Sequence, residues 1–128
     1  MSSEEKGKSI QVEVKTIYLP EQSDPEARRF VFAYTVRILN NGQEPATILG
    51  RHWIITDSDG NQEEVQGIGV IGQQPRIEPG EHYQYTSGAI LETPVGTMHG
   101  FYKMLCNSGK QFEANIAPFR LAKPNLLH

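Results

Sequence analysis

Short runs of alternating apolar and polar residues dominate the chain, and no window holds a helical repeat. Ile10, Val12 and Val14 alternate with Gln11, Glu13 and Lys15, which predicts a half-buried strand. The phase breaks at Ile17-Tyr18-Leu19, marking a bulge or the strand's end. Prolines at 20 and 25 then make a loop with room for one helical turn. The clearest strand follows, with Phe30, Phe32, Tyr34, Val36 and Ile38 on one face and Arg29, Val31, Ala33, Thr35 and Arg37 on the other. Asn40-Asn41-Gly42 predicts a hairpin into the next strand, because Asn and Gly tolerate positive φ.

That next strand runs from Ala46 to Asp57. Strict alternation puts Leu49, Arg51, Trp53 and Ile55 on one face and Ile48, Gly50, His52 and Ile54 on the other. Apolar residues on both faces predict a central strand. The turn at Asp59-Gly60 leads into a polar strand at Gln62–Gln66, placed near an edge. Further strands are expected over Tyr83–Leu91, Thr97–Cys106 and Gln111–Ile116. Ser87-Gly88 predicts a bulge, Asn107–Lys110 a hairpin, and Pro118 the end of the last strand. Seven or so short strands with regular turn signals make an all-β sandwich or barrel.

Composition narrows the function classes. The length of 128 residues suits one domain, expected over 9–121, with polar tails at 1–8 and 122–128. The net charge of -3, with cations scattered along the chain, offers no broad attraction to nucleic acid. No apolar run reaches the roughly 20 residues of a spanning helix, so no membrane insertion is expected. The first residues lack a signal-peptide core and there is a single cysteine, Cys106, which together place the protein in the cytoplasm. Charges on the outer strands discourage edge-to-edge pairing, which leaves a monomer or weak dimer.

Candidate chemistry is sparse. Gly67, Gly69 and Gly72 spell G-x-G-x-x-G, but Gln73, Gln74 and Pro75 follow where a dinucleotide fold needs a helix. Two readings stay open. The glycines serve tight bends, or their backbone N–H groups form a nest for phosphate or pyrophosphate, joined by Arg76 and by Arg51 folding back. His52, His82, His99 and His128 show no zinc spacing. Asp57, Asp59, Glu63 and Glu64 read as a solvated hairpin rather than a magnesium site. Ser87 lies outside a G-x-S-x-G elbow, Cys106 packs as a small hydrophobe, and Trp53 anchors the core. No catalytic residue and no cofactor is indicated.

The run from Arg51 through Gly88 resembles the ApaG family, the DUF525 domain. So do Val12–Val14, Tyr18–Ser23, Tyr34–Ile38 with Asn40-Asn41-Gly42, Thr93–Gly100 and Phe112–Phe119. The resemblance covers residues 9 to 121. It implies a fibronectin type III-like β-sandwich of about seven to eight antiparallel strands. It also implies an association with cobalt and magnesium efflux or resistance, without a defined activity. Related domains occur as modules of an F-box protein and of a DNA-polymerase-interacting protein, which implies a binding role. The family's glycine motif, here Gly67, Gly69 and Gly72, has been proposed to bind pyrophosphate. The expected function is therefore a non-enzymatic module for an unidentified protein partner. The alternative is a phosphate-containing small molecule or nucleotide held at the glycine loop.

Overall fold

A computed structural model describes residue 7 and residues 9–125. The expected tail at 1–8, apart from Gly7, and the final residues 126–128 with His128 lie outside the described residues. Eight strands form two antiparallel sheets: β1 (Ile10–Tyr18), β2 (Phe30–Asn40), β3 (Ala46–Asp57), β4 (Gln62–Ile68), β5 (Arg76–Ile77), β6 (His82–Leu91), β7 (Val95–Cys106) and β8 (Gln111–Ala122). One sheet has the order β1-β2-β6 and the other β4-β3-β7-β8, with the two-residue β5 pairing with the start of β3. The architecture is a sandwich and not a barrel. Strand β1 ends cleanly at Tyr18, and two 3-10 turns, Pro20–Gln22 and Pro25–Ala27, fill the proline loop.

Alternation decides what each strand buries. Phe32, Tyr34, Val36 and Ile38 of β2 meet Ile48, Trp53, Met98, Tyr102 and Met104 of the opposite sheet in one core. Trp53 is 1% exposed and packs edge-on against Tyr34, Tyr102 and Phe119, the anchoring role expected of it. Its indole nitrogen has no hydrogen-bond partner among the described residues. The Tyr85 and Tyr102 hydroxyls bond each other inside the core. Burial pushes both phenols well above the usual tyrosine range, and at Tyr102 the neighbouring Tyr85 adds to it. Cys106 is buried and, as the single cysteine of the sequence, forms no intrachain disulfide.

The structure corrects four expectations. The Asn40-Asn41-Gly42 turn makes no hairpin, because β2 and β3 belong to different sheets. Asn40 spends its side chain on the crossing instead. Its Nδ2 donates to the Glu44 carbonyl at 2.8 Å and the Ile77 carbonyl at 2.9 Å, while its Oδ1 accepts from the Gly42 N–H at 2.9 Å. Asn therefore acts here through an Asx turn rather than through positive φ.

Ser87-Gly88 is no bulge, since β6 keeps register with β2 through Tyr34↔Ser87 and Ala33↔Gly88. The bulges sit elsewhere. One is on β3, where register shifts between Ile48 and Gly50. This extra residue, Leu49, reverses the alternation, so that Ile48 and Trp53 share the core face although strict alternation separates them. The other is on β8, where Met98↔Phe119 gives way to Gly100↔Ile116. Pro118 sits in that irregularity on an edge strand and does not close it, because a missing N–H costs little there.

Candidate functional site

The glycine loop is a tight backbone knot. Gly69 has φ of +63° and donates its N–H to the Leu49 carbonyl at 2.7 Å. Val70, fully buried, exchanges hydrogen bonds with Gln73 in both directions, at 2.7 and 3.1 Å. Between them Ile71 and Gly72 take φ of 47° and 72°. Two consecutive positive φ values closed by such a pair make a type I′ turn. Gly72 suits it, whereas Ile71 is a β-branched residue in left-handed backbone, which is rare. Gln74 Nε2 then donates to the Leu49 carbonyl at 2.9 Å, and Ile48 N–H donates to the Pro75 carbonyl at 2.9 Å. The Leu49 bulge is thus the dock on which the loop is tied.

Arg51 does fold back onto the loop. Its Nη1 donates to the carbonyls of Ile68 at 3.3 Å and Gly69 at 3.1 Å. The guanidinium lies across Gly67, where any Cβ would run into it. Gly67, Gly69 and Arg51 are therefore brought together, with Arg51 binding carbonyls and the N–H groups of Gly69, Val70 and Gln73 already engaged. Gly72 stands at the tip of the turn. Arg76 is not part of this group. It pairs with Thr47 at the start of β3, and its Nε meets Glu78 Oε1 at 3.2 Å.

A second feature lies on the outer face of the four long strands of the larger sheet, and it was not legible in the sequence. Gly50 is the register partner of both Ile68 and Lys103, and His52 of both Gln66 and Phe101. Gly50 lacks a side chain and so floors a concavity of about 390 Å³ walled by Ile68, His52, Phe101, Gln66 and Lys103. The His52 and Phe101 rings stack at 4.9 Å and 12°. His52 Nε2 lies 2.7 Å from Glu64 Oε1, which fixes the ring. Ile68 is 79% exposed. The result is an apolar hollow with an ammonium at its rim. Its members come from β3, β4 and β7, far apart in sequence, and the Leu49 bulge decides which of them face out; no motif announces either.

Comparison with known proteins places the chain. The DUF525 family, described as the ApaG domain, matches residues 20–106. A Protein ApaG of Pseudomonas putida is 59% identical over 119 residues, covering 93% of this chain and 94% of that relative. A Protein ApaG of a Shewanella species is 57% identical over 120 residues, covering 94% and 95%. A structural-genomics X-ray structure superposes with a TM-score of 0.90 at 53% identity, covering 95% of this chain and 92% of the other. A Bordetella pertussis crystal structure described as an ApaA protein gives 0.89 at 52% identity, covering 91% and 95%. The sandwich and these matches agree: the chain belongs to the ApaG domain family.

Proposed function

We propose that this chain is a non-enzymatic, cytoplasmic binding module whose partner is another protein, and that contact is made on the outer face of the larger sheet. The observation that carries this reading is the Gly50-floored concavity with exposed Ile68, the Phe101–His52 stack and Lys103 at its rim. An apolar hollow beside a cation suits an apolar side chain flanked by a carboxylate. The hydrogen-bonded Tyr85–Tyr102 pair is buried in the core. Among the described residues no group of three or more His, Cys, Asp and Glu is arranged to hold a metal ion. In this proposal the association with cobalt and magnesium runs through the partner.

The test is site-specific photo-cross-linking in an extract of the source organism. A cross-linker at Ile68 or Phe101 is expected to capture one protein that a cross-linker at Thr35, on the opposite sheet, does not. Lys103→Glu should abolish the capture. Equal capture at all three positions, or none, refutes the reading. The alternative ligand, a phosphate-containing small molecule at the glycine loop, would have to draw Arg51 from the carbonyls of Ile68 and Gly69. A pyrophosphate titration that shifts no amide of residues 67–76 excludes it.

A further inference from the structure

The larger sheet ends on β4, and among the described residues its outer edge carries no strand. Two hydrogen bonds fix which backbone groups point outward. Asp57 N–H donates to the Asn61 carbonyl, and Gly69 N–H to the Leu49 carbonyl. In an antiparallel ladder the bonded residues alternate, so Glu63, Val65 and Gly67 are bonded to β3. The N–H groups of Gln62, Glu64, Gln66 and Ile68 therefore face the open edge. The strand is seven residues long and holds no proline.

Beside this edge runs a groove of about 490 Å³, lined by Ile55 and Glu63 on one wall and by Ile90 and Glu92 at the end of β6 on the other. Ile90 is 50% exposed. Asp57 also lines the groove, and among the described residues no Lys or Arg does. Glu63 and Glu92 form no ion pair among the described residues. A second copy of this chain would set these carboxylates against their own images, which disfavours self-pairing. A basic strand would meet them with opposite charge.

We infer that β4 accepts an extended, Lys- or Arg-bearing segment of a partner protein as an added strand, with apolar side chains against Ile55 and Ile90 and cations beside Glu63 and Glu92. Main-chain bonds to β4 supply affinity, and the acidic groove selects the charge. This inference rests on the protein-binding reading above and names how part of the partner is held.

The test uses the full chain with synthetic ten-residue peptides whose every second residue, the face turned to the groove, is lysine or valine with threonine between them, and matched peptides carrying glutamate in place of lysine. Hydrogen exchange resolved by NMR is the readout. The lysine peptide is expected to slow exchange at Gln62, Glu64, Gln66 and Ile68, and binding should weaken as salt rises. The glutamate peptide should leave all four unchanged. Gln66→Pro removes an outward N–H without touching the ladder to β3 and should weaken binding at least tenfold. Glu63→Lys with Glu92→Lys should reverse the charge preference. Absence of protection at these four amides, equal binding of the glutamate peptide, or a self-dimer abolished by Gln66→Pro each overturns the inference. If Gln66→Pro leaves the Ile68 and Phe101 cross-links intact, the edge inference falls and the module reading stands. If no cross-link forms in the chain with Gln66 intact, the module reading itself falls.

Discussion

Ile71→Asn should stabilise this protein. Ile71 holds φ of 47° in a two-residue turn while its side chain is 58% exposed. An L residue in left-handed backbone costs roughly 1–2 kcal/mol, whereas Asn adopts it at little cost. Against that stands the lost burial. Full burial of an Ile side chain contributes about 1.5–3 kcal/mol, and less than half of Ile71 is covered, so about 0.5–1 kcal/mol is at stake. The net expectation is a gain of about 0.5–1 kcal/mol, or roughly 2–4 °C in Tm for a domain of this size. Ile71→Ala is the control. It loses the burial and keeps most of the strain, so it should fall by about 0.5–1 kcal/mol. Thermal and urea unfolding followed by Trp53 fluorescence reads both variants. If the Asn and Ala variants fall together, the turn stores no strain and the reasoning is wrong. A gain would show that the loop holds an exposed isoleucine at a cost in stability.

Three further outcomes follow from the core and the crossings. Asn40→Ala removes donors from the Glu44 and Ile77 carbonyls and should cost about 2–4 kcal/mol by urea unfolding, with m unchanged. Of the five tyrosines, Tyr85 and Tyr102 should fail to ionise in an absorbance titration until the fold is lost. Their phenol pKa values are higher folded than unfolded, so the stability they contribute is complete below about pH 10 and declines as pH rises beyond it. Gly100→Ala drives a Cβ into the His52 carbonyl across the β3–β7 ladder and should cost about 2–4 kcal/mol, read as a lower Tm.

Most of the fold was legible because period-two burial is written in side-chain types. Phe30 through Ile38 and the flanks of Trp53 announce strands and a core residue without help from tertiary structure. What was not legible turns on single residues whose roles are set by distant ones. The Leu49 bulge is marked only by Gly50, which alternation reads as an ordinary strand position, so alternation read through it misplaced Ile48. Asn40 looked like a hairpin residue because its local preference is the same in an Asx turn, and only the Ile77 carbonyl shows where the chain goes next. For the candidate site, sequence found the glycine loop and the return of Arg51, since both are local or carry charge. It missed the concavity, whose floor is the absence of a side chain at Gly50 and whose walls come from three strands.

The three crossings between sheets also govern how the chain can be made. Strand β2 pairs with β6, and β3 with β7, so both ladders that close the sandwich join residues far apart in sequence. Such topology folds in about milliseconds to seconds rather than microseconds. A growing chain that has reached only β4 holds β3 with one side open where β7 belongs, and with Trp53 uncovered by Tyr102 and Phe119. Completion of the domain on the ribosome therefore waits for nearly the whole chain, and truncation ahead of β7 leaves an aggregating fragment rather than a smaller domain.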